Sequence, residues 1–80
     1  MDSFRLIKGE YMSEITRAFG ANLRSIRLAK GFSQDRLALA ADIDRSYLGR
    51  VERGEVNITI EKLYTIARVL ECSPKELLPE

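Results

Sequence analysis

Four small polar residues and two glycines cut this chain into short pieces. Ser33, Asp44, Thr59 and Ser73 each stand directly before an apolar-patterned stretch, where a side-chain oxygen can accept the unpaired amide hydrogens of a helix start. Gly31 and Gly54 stand where a helix must end in left-handed backbone. Helices this short are stabilised mainly by burying one face against their neighbours, so the pattern predicts an all-α bundle. No stretch reads convincingly as a strand.

The individual helices follow from the spacing of apolar residues. "SEITRAFGANLRSIRLAKG" places Ile15, Phe19, Leu23 and Ile26 along one stripe, with Ser13 as the expected cap and Gly31 after Lys30 as the stop. "SQDRLALAA" gives a second helix capped by Ser33, with Leu37, Ala38 and Ala41 facing inward, ending near Asp42. Asp44 caps a third, Arg45 to Arg53, closed by Gly54. Thr59 opens a fourth, "IEKLYTIARVL", whose apolar face is Ile60, Leu63, Ile66, Ala67 and Leu70. The fifth begins at "SPKE", with Ser73 as cap, Pro74 at the first helical position and Glu76 completing a capping box. Helices 2 and 3, joined by Ala41 to Ile43, have the spacing of a helix-turn-helix, which also fits any small bundle.

Eighty residues make one small domain with a modest core. A second site with its own walls does not fit that size, and an enzyme is not expected. No apolar run approaches the ~18 residues of a membrane span, and the first dozen residues lack the apolar region of a signal peptide. A cytoplasmic location is the expectation, with no membrane partner. Cys72 is the only cysteine and histidine is absent, so neither a disulfide framework nor a Cys/His metal cluster is available. Cys72 is expected to act as a small hydrophobe at a helix junction. No cofactor or metal is implied.

The formal net charge is only +1, but its distribution is uneven. Arg17 to Arg53 holds eight basic residues against four acidic ones, a balance of +4. Residues 54–80 hold three basic residues against five acidic ones, a balance of −2. A polyanion would be met by the central segment. Within it, "DRSYLGRVERGE" sets three arginines in ten positions. Wound at about 100° per residue, Arg45, Gly49, Arg53, Ser46 and Arg50 share one side, and Tyr47, Leu48 and Val51 share the other. Glycine in a helix interior costs roughly 1 kcal/mol against alanine, so Gly49 reads as room for a groove wall or a phosphate. Arginine's planar fork suits guanine edges and phosphate. On charge alone the same face could be simply solvated.

Residues 21–78 resemble the Xre/lambda-repressor-like helix-turn-helix family, chiefly through "LRSIRLAKGFSQDRLA", "YLGRVERGE" and "LYTIARVLECSP". "DRSYLGRVERGEVNITIEKL" is most similar to the controller proteins of restriction-modification systems. The resemblance implies a five-helix lambda-repressor-like bundle over residues 13–80, preceded by an extension over residues 1–12. In that extension, Phe4, Leu6, Ile7 and Tyr11 could pack on the bundle or on a partner, or belong to a loose tail, and Met12 offers an alternative start.

Carried over by position, the resemblance makes Arg45 to Arg53 the recognition helix on double-stranded DNA. Arg45, Ser46 and Arg50 then match positions that reach base edges, with Tyr47 a weaker candidate because its winding angle points inward. Ser33, Gln34, Arg53 and Asn57 match positions at the DNA backbone. Arg27 and Glu52 match an internal ion pair. The resemblance further implies a homodimer on a pseudo-palindromic operator. Tyr64, Leu70, Leu77 and Leu78 are the candidate interface, or else core. A controller of this kind would activate at one site by touching RNA polymerase and repress when a second dimer fills a neighbouring site. The rival readings are an antitoxin-type or other protein-interaction module, and a phage-type repressor.

Overall fold

In a computed structural model of the protein, the backbone is described from Asp2 to Glu80 and the side chains from residue 13 onward. Phe4, Leu6, Ile7 and Tyr11 therefore lie outside the residues whose side chains are described. The order is α1 (Asp2–Ala29), α2 (Gln34–Ala41), α3 (Arg45–Glu52), α4 (Ile60–Leu70) and α5 (Pro74–Leu77). All five described elements are helices.

The polar caps act as expected. Ser33 accepts from the Arg36 amide, Asp44 from Tyr47, Thr59 from Lys62 and Ser73 from Lys75. Glu76 closes the capping box by accepting from the Ser73 amide at 2.8 Å. Gly31 is left-handed at φ 79°, and Phe32 donates back to the Arg27 carbonyl at 3.0 Å.

Three expectations about the helices change. Ser13 caps nothing, because α1 already runs from Asp2 and passes through it; the Ser13 carbonyl accepts from Thr16 Oγ1 at 2.9 Å. No proline interrupts the preceding residues, so nothing local compels a start at Ser13. α3 ends at Glu52, and Arg53 is its C-cap. Ile60 is 73% exposed: the first turn of α4 borders a groove open to solvent, and the packed face begins at Leu63.

The core joins Phe19 and Leu23 of α1, Leu37 of α2, Leu48 and Val51 of α3, Leu63, Ile66 and Leu70 of α4, and Leu77 of α5. Two of the candidate interface residues are therefore corrected. Leu70 and Leu77 are essentially fully buried inside one subunit and have no surface to offer a partner. Leu77 is held there by the four-residue α5, whose last carbonyl accepts from Asn22 Nδ2 of α1 at 3.1 Å. Cys72 is partly buried against the core beside the α4 to α5 junction. Burial, and then the nearby Glu76 carboxylate, push its thiol pKa up, which keeps it protonated at neutral pH.

α1 and α3 meet at a glycine. A Cβ at Gly20 would stand 2.5 Å from the carbonyl oxygens of both Val51 and Glu52, a distance no real contact tolerates. Gly20→Ala improves helix propensity by about 1 kcal/mol, yet it must push α3 away from α1. A net loss of about 1–3 kcal/mol is expected from the overpacking. Urea denaturation checks this, and an unchanged or raised midpoint would show that the two helices can separate freely.

Candidate nucleic-acid interface

α3 is fixed from three sides before its exposed face is considered. Asp44 Oδ2 accepts from the Tyr47 amide at 3.0 Å and sets the first turn. The turn from α2 is closed by Asp42 in left-handed backbone (φ 56°), and Ile43 donates to the Ala38 carbonyl at 2.9 Å. Leu48 and Val51 bury the inner face. At the far end Glu52 is buried and receives two bonds from Arg27, from Nε at 2.6 Å and from Nη2 at 3.0 Å.

That ion pair belongs to a larger network. Arg27 Nη1 donates to the Phe32 carbonyl at 2.8 Å, and Gln34 Nε2 donates to Glu52 Oε1 at 2.8 Å. The guanidinium thus uses all three of its nitrogens, and the carboxylate accepts three bonds. Gln34 was expected to face phosphate; here its amide nitrogen holds Glu52, at the start of α2 and beside α3. Ser33, also expected at the backbone, is exposed and engaged as the α2 cap.

On the outer side, Arg45, Ser46, Arg50 and Arg53 are all exposed. Asn57 is exposed in the loop that follows, and its carbonyl accepts from Tyr47 Oη at 3.0 Å. Tyr47 is only half-buried, with Lys62 Nζ lying 4.4 Å from its ring centroid. The phenol ties α3 to the loop, and Lys62 adds a cation beside it that the sequence reading passed over.

Gly49 is buried, contrary to its expected role as an opening for a groove wall. A Cβ there would stand 3.2 Å from Arg53 Nη1, the far end of an exposed side chain, and at an ordinary 3.8 Å from Gln34 Oε1, so the protein's own side chains lie over this position.

The arginines have acidic company, from α2 at Arg45 and from two positions along the chain at Arg53. Arg45 Nε lies 2.8 Å from Asp35 Oδ1 of α2, and Arg53 Nε lies 2.6 Å from Glu55 Oε2. Arg50 Nε is 3.9 Å from Glu55 Oε1. The hydrogen bond from Arg53, ahead of the charges of Arg53 and Arg50, holds the Glu55 carboxyl below its ordinary range, so it is ionised at neutral pH. Among the described residues no group of three or more His, Cys, Asp or Glu side chains is placed to hold a metal.

Residues 23–77 match the helix-turn-helix family model. The chain is 37% identical over 67 residues to the control protein C.BamHI of Bacillus amyloliquefaciens, covering 82% of this chain and 83% of the relative. It is 37% identical over 65 residues to the control protein C.SmaI of Serratia marcescens, covering 81% and 77%. Among solved structures it resembles the restriction-modification controller protein C.AhdI of Aeromonas hydrophila, with a TM-score of 0.76, 43% identity and coverage of 79% of this chain and 96% of that one. The biofilm regulator SinR, solved in complex with DNA, matches with a TM-score of 0.70, 33% identity and coverage of 74% and 95%.

The buried pair yields a direct test. Arg27→Met strands the Glu52 carboxylate, and Glu52→Leu strands the guanidinium, each at an expected cost of about 3–5 kcal/mol. The double variant removes both charges and should lose much less than the sum. A double-mutant cycle by urea denaturation measures the coupling; additive losses would contradict the network.

Proposed function

From the premise that this chain belongs to the helix-turn-helix family and is a DNA-binding transcriptional regulator related to restriction-modification controller proteins, we propose that it controls such an operon as a homodimer. Like the control proteins it matches, it is a regulator and not an enzyme. α3 is the recognition helix. The observation that carries this reading is the exposure of Arg45, Ser46 and Arg50 on a helix whose opposite side is locked into the core. Arginine can meet guanine O6 and N7 with two parallel bonds, which gives Arg45 and Arg50 the role of base readers with Ser46 beside them. Tyr47, with its hydroxyl donating to the Asn57 carbonyl, contributes through its ring edge. Ser33, Gln34, Arg53 and Asn57 flank α3 and position it on the DNA backbone.

A single eight-residue helix reads only a few base pairs, and a domain of net charge +1 has a small electrostatic attraction for DNA. Two subunits on a pseudo-palindromic operator double the contact. Tyr64 and Leu78, 60% and 45% exposed, remain as interface candidates once Leu70 and Leu77 are assigned to the core, and exposed Ile60 joins them. Ile60 and Leu78 border an apolar groove of about 310 Å³ that Ile15, Phe19 and Leu63 also line. As a controller the dimer activates at one site by touching RNA polymerase and represses when a second dimer occupies the neighbouring one. Residues 13–80 carry this activity, and residues 1–12 extend it. No helix among the described residues is long and apolar enough to cross a membrane, which accords with a regulator working in the cytoplasm.

Arg45→Ala and Arg50→Ala should each lose about 1–3 kcal/mol on the cognate site and relax preference at one base pair. Arg53→Ala should instead weaken all DNA about equally and flatten the salt dependence. Gel-shift titrations on matched and mismatched duplexes separate the two classes; unchanged base preference in Arg45→Ala and Arg50→Ala would remove α3 from base readout.

Assembly is checked separately. Tyr64→Glu places a charge on an exposed position without entering the core. Sedimentation should report a folded monomer with operator affinity lowered by orders of magnitude. A folded monomer that kept full affinity would defeat the dimer mechanism.

A further inference from the structure

The arginines of α3 and its C-cap are not bare cations: Arg53 donates to Glu55, Arg45 is ion-paired with Asp35, and Arg50 stands farther off from Glu55. In all three contacts a carboxylate oxygen approaches Nε: Asp35 at Arg45, and Glu55 at both Arg53 and Arg50. Nε lies on the inner edge of the guanidinium. A carboxylate bound there leaves donors on the terminal nitrogens for a further acceptor. All of these side chains are well exposed, and exposed ion pairs contribute little to stability. Pairing for stability therefore does not account for Glu55, and for Asp35 the fold supplies only its modest benefit in the first turn of α2.

We propose that Asp35 and Glu55 are specificity-determining residues: they cancel the charge by which Arg45, Arg50 and Arg53 would hold any phosphate backbone, and the ion pair with Asp35 also keeps Arg45 on the α2 side of α3 for base contact. The inference rests on the proposal that α3 reads DNA. Non-specific binding is essentially all electrostatic, so a carboxylate beside each arginine weakens it directly. Base contacts made through terminal nitrogens survive, because the Nε partner need not leave. Orientation adds to this effect. Asp35 stands in the first turn of α2, on the neighbouring helix, and an arginine tethered to it has fewer rotamers to lose on meeting a guanine edge. The pairs thus lower affinity for DNA in general while sparing the cognate site.

The test uses the full chain, a duplex selected by the wild-type protein from a randomised pool, and a scrambled duplex of equal composition. Asp35→Asn and Glu55→Gln should each raise affinity for the scrambled duplex about fivefold at physiological salt, and steepen the slope of log K against log salt by about 0.9, the effect of one more net cation. Affinity for the selected duplex should rise less, so that selectivity falls. Asp35→Glu should restore it. Glu71→Gln, which removes an equal charge from the C-cap of α4, should change neither quantity.

Unchanged affinity and slope on the scrambled duplex would overturn the proposal, as would an equal gain in Glu71→Gln. Loss of preference for one cytosine in Asp35→Asn, with no gain on scrambled DNA, would make Asp35 a base reader and also overturn it. Failure of the underlying reading looks different: Arg45→Ala would then leave selectivity intact.

Discussion

The bidentate contact between Arg27 and Glu52 is the interaction on which the remaining geometry depends. Taking two charges out of water is expensive, and their attraction offsets that cost only when the other donors and lone pairs are also used. Here Phe32 and Gln34 complete the set, and among the described residues no buried side-chain nitrogen or oxygen lacks a partner. The network reaches α1, the turn after it, the first residue of α2 and the last residue of α3. Its directional bonds fix what apolar packing alone leaves adjustable, namely the rotation of α3 about its own axis. That rotation decides which side chains face outward.

Close backbone approach completes the restraint. Gly20 lets α1 lie against the last carbonyls of α3, two turns before Arg27 on the same helix. Gly54 continues the contact: it is left-handed at φ 75°, and a Cβ there would collide with Arg17. The chain leaving α3 is therefore pinned to the same helix that holds Glu52, and Thr16 Oγ1, whose single hydrogen is shared with the Ser13 carbonyl, stands 3.2 Å from the Gly54 carbonyl. A helix of eight residues, marginal alone, is rigid in this setting.

What was legible in the sequence was whatever is local. The capping residues, the capping box at Ser73 and the polar side of α3 depend on neighbours a few positions away, and each was readable. Depth was not. Apolar spacing shows which side of a helix turns inward but not whether a neighbour covers it, so Ile60 was assigned inward and Leu70 and Leu77 stood between core and interface. The partners Asp35 and Arg45 lie on separate helices, and the positions of both depend on the α2 to α3 turn, so no spacing rule joins them. Arg27 and Glu52 came from resemblance alone, being twenty-five positions apart. Ser13 illustrates the opposite error, a good capping residue in a place where the helix had no reason to begin.

Two helix ends in this fold use left-handed backbone without glycine: Asp42 after α2 and Glu71 after α4, at φ 56° and 54°. For a residue with a Cβ that conformation is disfavoured by roughly 1–2 kcal/mol, less for aspartate, whose short side chain can bond locally. Glu71 has no such relief, and its own carbonyl accepts from Lys30 Nζ across the bundle at 3.3 Å. The chain therefore carries a reserve of stability at a surface position outside α3. A lineage that must absorb a destabilising change in α3 can recover the loss there by a single substitution to glycine. The exposed face of α3 and the stability of the bundle are thereby free to change at separate positions.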